Sequence, residues 1–325
     1  PRSRDQINRI LFFHHCLHQN SRWENETIAL ENSIELRDDF SLRGRCEMFR
    51  VNLDSMVAAH QLHQGSNLRG HLVWARYSHF QRLLCIKNVP REPEDEEILQ
   101  FFSDNNDPDL YMERHAMSRS EFRKLASPLV RSGHLIQDYR GGFKTVEPLP
   151  KIDLWGVKRD YLRELVKDYP VITLRQLERL AGSPFSPEEI SDVMHDFEED
   201  GTLIKGFLVD DLQDICWGRL DMLEELGRIS RTRDLVIPPS DPLIHYFGSL
   251  LRERFGYGSA YLVFHKEEPI AAFKANTRND KIELTDFVGD SELEKEAIRV
   301  MKEFAWEHDM PLSGKLFDRI RSRIV

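Results

Sequence analysis

The chain has 325 residues, a formal charge of −10, and 40% hydrophobic and 31% charged residues. That is the length of two or three domains with a sizeable core, and the composition of an ordinary globular protein. No run of 18 apolar residues is present, which excludes a membrane-spanning helix, and no charged-then-apolar leader opens the chain, which argues against secretion.

Four cysteines, Cys16, Cys46, Cys85 and Cys216, lie far apart and form no Cys-x-x-Cys pair. The pattern is that of reduced thiols in a cytoplasmic protein, and not of a disulfide framework or zinc ribbon. The first residue is Pro1, as expected of a trimmed chain or a piece of a longer one. The charge is unevenly spread. Residues 1–91 hold 13 Arg and Lys against 9 Asp and Glu, with 7 of the 13 histidines. Residues 118–148 hold 6 basic against 3 acidic, and residues 186–216 hold 1 basic against 10 acidic. The total is therefore a poor guide to partners, because the acid is concentrated and other stretches are free to face phosphate.

In chain order, 1–91 reads as mostly helical. Leu11, Phe12 and Phe13 predict a core-packed helix with His14, His15 and His18 at its edge. His14 and His18 share a face at i, i+4, as two metal ligands would, but no third ligand stands nearby, and His60, His63, His71 and His79 fit no zinc spacing. No metal and no cofactor are expected.

An internal repeat organises the middle. Ser118-Arg-Ser-Glu121-Phe122 leading to Gly133-His-Leu-Ile136 matches Ser186-Pro-Glu-Glu189-Ile190 leading to Gly201-Thr-Leu-Ile204, at a constant offset of 68 residues. Ser-x-x-Glu is a capping box: the hydroxyl accepts the third helical N–H and the carboxylate reaches back to the cap. The glycine fits the helix end, where a positive φ is needed. Each copy is thus a helix of about four turns running into a strand. Helices are expected at 94–103 and 110–115 before the first copy, and at 157–168 and 173–181 before the second. Strands 134–139 and 143–147 flank the turn Arg140-Gly141-Gly142, and 203–209 opens a looser hairpin. Three helices and a two-stranded wing make a winged-helix module.

The two modules differ in charge. The third helix of the first offers Arg119, Arg123, Lys124 and Arg131, and its wing Arg140 and Lys144. These are phosphate-contacting residue types in the elements that enter a groove. The third helix of the second carries Glu188, Glu189, Asp192, Asp196, Glu198, Glu199 and Asp200 without a cation, a surface that repels phosphate and suits scaffold or protein contact. Further on, 234–239 reads as a boundary ending in Pro-Pro. Strands are expected at 261–265, 270–274 and 281–285, and a long helix follows Asp290 to about His308. The expected fold is α+β: tandem winged-helix modules followed by a small antiparallel β-domain with a C-terminal helix. The parts are 1–91, 92–150, 151–233 and 234–325.

Three features resemble the winged-helix DNA glycosylases of the AlkZ/YcaQ type, with relatives among the C-terminal domains of Lhr-type helicases. They are Leu68-Arg69-Gly70-His71-Leu72-Val73, similar to that family's Arg-Gly-Thr-Leu-His segment, the tandem modules after it, and Val236-Ile-Pro-Pro-Ser-Asp241-Pro-Leu-Ile with Arg254-Phe-Gly256-Tyr257. The resemblance covers most of residues 60–290. It implies excision of alkylated or crosslinked bases without metal or cofactor, double-stranded DNA (damaged or intact) as partner, and Arg69 at the DNA. It also implies catalysis near the family's Gln-x-Gln or Gln-x-Asp string. At about that separation this chain reads Ala29-Leu30-Glu31-Asn32-Ser33, which aligns Glu31 and Ser33 with the two catalytic positions and departs from both. The Arg-Gly segment also lacks the threonine. Chemically, glycosidic cleavage builds oxocarbenium charge that a carboxylate stabilises while it orients water. Read from the residues alone, Glu31 is one acid on a solvent-facing helix with Glu24, Glu26, Glu35, Asp38 and Asp39. No phosphate-binding loop, Gly-x-Ser-x-Gly elbow or Cys/His dyad is present. Three functions follow: a DNA glycosylase, a non-catalytic DNA-binding module of a repair, helicase or transcription system, and a protein-interaction scaffold. The cations of the front half and of the wing are expected to converge on one hollow.

Overall fold

The computed structural model of the chain describes residues 2–15, 17, 62–149, 153–210, 212–278 and 280–324. Glu31 and Ser33, together with Cys16, His18, Cys46 and His60, lie outside the described residues.

The two capping boxes form. Ser118 Oγ accepts from the Glu121 N–H at 3.3 Å while Glu121 accepts from the Ser118 N–H at 2.8 Å. Ser186 and Glu189 do the same at 3.1 and 2.9 Å. Each box starts a helix of the expected length, Arg119–Ser132 and Pro187–Glu199. Both glycines take positive φ, +94° at Gly133 and +75° at Gly201, where a Cβ would add strain.

The elements in order are α1 (Arg4–His14), β1 (Leu62–Ser66), β2 (Leu72–Arg76), α2 (Tyr77–Lys87), α3 (Glu96–Asp104), α4 (Pro108–Arg114), α5 (Arg119–Ser132), β3 (Leu135–Gln137) and β4 (Phe143–Thr145). The second unit follows with α6 (Leu154–Lys167), β5 (Val171–Thr173), α7 (Leu174–Ala181), α8 (Pro187–Glu199), β6 (Ile204–Gly206), β7 (Cys216–Gly218) and α9 (Leu220–Glu224). The last part holds β8 (Leu235–Ile237), α10 (Leu243–Tyr246), α11 (Gly248–Phe255), β9 (Tyr261–His265), β10 (Glu268–Arg278), β11 (Lys281–Gly289), α12 (Glu294–Glu307), β12 (Leu312–Ser313) and α13 (Lys315–Ile324). Helix and strand are mixed and the sheets are antiparallel apart from the short β11–β12 pair, an α+β chain.

Three sheets have the orders β2-β1-β3-β4, β5-β7-β6 and β12-β11-β10-β9-β8. Each departs from the expectation in an instructive way. The front part contributes a hairpin, β1–β2, that extends the first unit's own two strands; single residues such as Gly65 and Trp74 carry too little alternation to announce it. In the second unit, β5 adds a third strand to the hairpin because buried Val171 and Ile172 pair with Gly218 and Trp217. The segment read as a boundary is itself a strand: Val236 and Ile237 pair with Val263 and Leu262 at the edge of the last sheet. That sheet has five strands where three were expected, and it is backed by α12 and by α13.

One apolar cluster runs through all of this, from Leu11 and Phe12 through Phe80, Leu162 and Phe197 to Phe264. Phe12 packs edge-on to Phe264 at 5.0 Å between ring centres, so α1 is buried between parts distant in sequence. The side chain of Glu267, 1% exposed, holds α1 there: it accepts from Arg9 Nε at 3.0 Å and the Thr232 N–H at 2.7 Å, and its own carbonyl accepts from Asn8 Nδ2 at 2.9 Å. Among the described residues no helix is long and apolar enough to cross a membrane.

Candidate nucleic-acid interface

Helix α5 buries Phe122, Ala126 and Leu129 and turns Arg119, Arg123, Lys124 and Arg131 to solvent. The wing turn after β3 is built by Asp138, whose Oδ1 accepts from the N–H groups of Arg140 and Gly142, both at 2.8 Å. Gly141 has φ +85°, and a Cβ on Gly142 would sit 2.8 Å from the Asn106 carbonyl. The second glycine is therefore required by close backbone approach, which seats the wing on the loop after α3. Arg140 lies over the Tyr139 ring and donates through Nε to the Tyr139 hydroxyl at 2.7 Å. The Lys144 ammonium stands 4.4 Å from the centre of the Tyr77 ring. Both cations are exposed, and each is held against an aromatic ring.

Phe143, beside Lys144, meets Phe122 at 5.4 Å and Phe102 at 5.5 Å. Phe122 sits in the first turn of α5, so this aromatic cluster fixes the Arg119–Arg123 end of the helix next to the wing. Arg119 has one carboxylate neighbour, Asp109 at 3.6 Å; with both side chains more than two-thirds exposed, such a pair contributes about 0–1 kcal/mol and leaves the cation available.

Beside the wing is a cleft of about 420 Å³ lined by Asp104, Asn106, Asp107, Asp138, Lys144 and His63. Three of these are acids and Lys144 is the cation among them, so the cleft itself is not a pocket for phosphate. His63 is held below the usual imidazole range by burial first and then by the Lys144 charge, and it carries no charge at neutral pH. Its Nδ1 is buried with no hydrogen-bond partner among the described residues.

Arg69 does not join this group. It lies in the β1–β2 turn, where Asn67 Oδ1 accepts from the N–H groups of Arg69 at 3.0 Å and His71 at 2.9 Å, and Gly70 takes φ +75°. Strands β1 and β3 are antiparallel with Gln64 opposite Gln137. The wing continues from Gln137 in one direction, and the Arg69 turn continues from Gln64 in the other. The two therefore occupy opposite ends of one sheet, and the expected convergence on a single hollow is corrected to two separate positions. Sequence reading could not anticipate this, because the β1–β3 pairing is long-range.

The Arg69 turn faces the second unit and the last part of the chain. Arg69 Nη1 is 3.5 Å from the Arg179 carbonyl. The His71 and His245 rings lie stacked at 6.1 Å, and the Tyr169 and Tyr246 rings at 5.1 Å. His15 Nε2 donates to the Asp168 carbonyl at 3.0 Å. Burial, then the Asp168 charge, pushes the Tyr169 hydroxyl far up, so it stays protonated; Arg69 and Asp241 lie within electrostatic reach of it. Asp241 is 1% exposed and accepts from the Leu243 N–H at 2.9 Å, starting α10. The two segments that resemble glycosylase motifs, 68–73 and 236–244, thus come together at a partly buried polar junction. Tyr169, Tyr246 and His245 belong to it and were missed; the only sequence signal was the motif preceding His245.

The acids of α8 are largely consumed within the chain. Lys158, Arg159 and Arg163 of α6 pair with Glu189 at 2.6 Å, Asp196 at 3.2 Å and Asp200 at 3.4 Å. Glu198 lies 3.3 Å from Lys205 and accepts from the Trp217 indole. Glu188, Asp192 and Glu199 stay exposed, the last beside His195 on the same helix. His14 Nε2 and Glu225 Oε2 lie 2.9 Å apart, and among the described residues no group of three His, Cys, Asp or Glu side chains is placed to hold a metal. Cys85 and Cys216 are buried free thiols, and burial pushes that of Cys216 up to about 11.

No family model and no curated protein sequence matches the chain. Among solved structures it matches the DNA glycosylase AlkZ of Streptomyces sahachiroi with a TM-score of 0.67 at 11% identity, over 97% of this chain and 100% of that one. The likeness runs end to end, so this chain has an AlkZ-type fold.

Proposed function

We propose that the chain is a duplex-DNA-binding protein made of tandem winged helices, and that it hydrolyses N-glycosidic bonds of damaged bases. In this reading residues 92–150 are the DNA-contacting module, 151–233 a second module, and 234–325 a β-domain, with 1–91 completing the assembly. The observation that carries the DNA reading is the row of exposed cations on α5 and the wing, clamped at one end by Phe102, Phe122 and Phe143. Helix and wing are the elements of such a module that meet grooves and phosphates. The fold shared with a DNA glycosylase supports the chemistry.

In that chemistry the sugar–base bond breaks, positive charge grows on the sugar, and water adds to the anomeric carbon. Glu31 would stabilise the charge and take the water's proton, and Ser33 would hold the water. An alkylated purine leaves as a neutral base and needs no acid, metal or cofactor. Arg69 would contact the strand from the far end of the sheet. The test is incubation with duplex carrying a methylated purine, followed by detection of abasic sites. Release is expected from the wild type, and a Glu31→Gln variant that releases base at the wild-type rate removes Glu31 from the chemistry.

A second reading, DNA binding without base excision, is favoured by Glu31 and Ser33 standing where the resembled family carries Gln-x-Gln. Salt-dependent binding with no abasic product selects it. Protein contact through the second module would use Glu188, Asp192 and Glu199, the acids of its third helix that α6 leaves exposed.

A further inference from the structure

The basic residues noted so far leave out a second group, gathered where the second unit meets the last domain. Helices α7 and α11 lie side by side and antiparallel: Arg179 Nη1 donates to Ser249 Oγ at 2.6 Å, and Arg175 reaches Glu253 at 4.0 Å. Gly248 lies at this contact, where an added Cβ would stand 3.5 Å from Arg179 Nη1. Leu177, Leu180 and Ala181 bury the other face of α7, so Arg175 and Arg179, one turn apart, line the outer face with Arg252 of the neighbouring helix. Arg69 adds a fourth guanidinium through its contact with the Arg179 carbonyl, and its stem packs against Gly182, where a Cβ would come within 3.3 Å.

Among the described residues, the carboxylates that act on Arg179 are Glu253 and Glu178. The crowding of like charge is felt by Arg179, which is held below the usual guanidinium range by burial first, then by Arg252 and Arg175. The Arg175–Glu253 contact is long, and both side chains are 69% exposed, so it neutralises little. Assembling like charges on two packed helices is unfavourable unless an anion compensates it.

We propose that Arg69, Arg175, Arg179 and Arg252 form a second phosphodiester-binding site, which takes the DNA backbone at the opposite end of the β2-β1-β3-β4 sheet from the wing. This site rests on the DNA reading above. Arg175 and Arg252 project to solvent and make the direct phosphate contacts. Arg179, braced by Ser249, positions them and Arg69.

The test compares salt titrations of duplex binding for the wild type, Arg175→Gln/Arg252→Gln, Arg175→Lys/Arg252→Lys and Arg140→Ala/Lys144→Ala, with melting temperature as a check on folding. Each lost phosphate contact flattens the slope of log K against log salt by about 0.9. The glutamine pair is expected to bind at least about tenfold more weakly with a slope flatter by about 1.8, while the lysine pair keeps wild-type affinity and slope. If the wild type binds and the glutamine pair matches it, the second site is overturned while the wing reading stands. A loss that lysine fails to restore overturns it too, because attraction to phosphate needs only the charge. A wild type with no salt-dependent binding overturns both readings together.

Discussion

The two copies of the 68-residue repeat share their local grammar and diverge in what surrounds it. Both begin their third helix with a Ser-x-x-Glu box and end it at a positive-φ glycine. In the first copy the charged face of that helix meets no opposing row: Arg119, Arg123, Lys124 and Arg131 stay exposed, and the wing adds Arg140 and Lys144. In the second copy, α6 presents Lys158, Arg159 and Arg163 at the spacing needed to pair with Glu189, Asp196 and Asp200. Charge count on one helix therefore does not decide what the helix offers; the neighbouring helix does. The acid of the second copy is mostly structural, and the base of the first is the one left for a partner.

The largest expected effect breaks this contrast at the DNA. Replacing Arg119, Arg123, Arg140 and Lys144 together by alanine should flatten the salt slope of duplex binding by roughly 3.6 and lower affinity on the order of a thousandfold at low salt. The matched change in the second copy, Glu188→Gln with Asp192→Asn, should raise affinity only a few-fold. Equal effects from the two sets, read by fluorescence anisotropy, would contradict the assignment of roles.

The shared grammar gives a middle-sized effect. Ser118→Ala and Ser186→Ala each remove one helix cap and should cost about 1 kcal/mol, seen as a similar fall in the chemical-denaturation midpoint. In the second copy, losing the Lys158–Glu189 pair by Lys158→Ala should add to the cap mutation less than the sum of the two, because Glu189 serves both. Strict additivity would mean that cap and ion pair are independent.

The smallest effect sharpens the comparison through pH. His63, in the first copy's sheet, is held below its ordinary 6.5 by burial and then Lys144. Its neutral form is the folded one, so its contribution is complete above that value and fades as pH falls through it. Glu189 is held below its ordinary 4.5 chiefly by the Lys158 hydrogen bond, and Asp200 below 3.8 by its bonds to Thr202. These carboxylates contribute fully above their ordinary values and are lost only as pH drops through the lowered ones. On acidification, amide protection in β1 and β3 should begin to weaken as pH falls below roughly 6.5, and that of α8 only below roughly 4.5. Simultaneous loss, or loss in α8 first, would show that other groups govern.

Much of the fold could be read locally. The boxes, the glycines and the Arg140-Gly141-Gly142 turn are short-range features whose physics is complete within a few residues, and the helices α5 and α8 and the β3–β4 hairpin lie where they were expected. Glu267 shows the opposite case. Beside Glu268 and Pro269 it reads as a turn residue, yet it is buried, at φ +69°, gripping Arg9 and the Thr232 amide. No local pattern distinguishes it from an exposed turn glutamate, since its partners are 258 and 35 residues away. The candidate site divides in the same way. The α5 and wing cations follow from amphipathic spacing and turn chemistry. The separation of Arg69 from them, and its grouping with Arg175, Arg179 and Arg252, depend on the β1–β3 register and the α7–α11 contact.

What the amino-acid order settles alone is where the two capped third helices begin and end, the tight Arg140-Gly141-Gly142 turn and which of their faces carry charge, because backbone capping and side-chain periodicity act over one or two turns. Which charges remain unspent was decided by tertiary packing. Whether a carboxylate meets a guanidinium or water depends on helices and strands brought together across long stretches of chain, and the cost of leaving an ion unpaired is felt only once that neighbourhood exists.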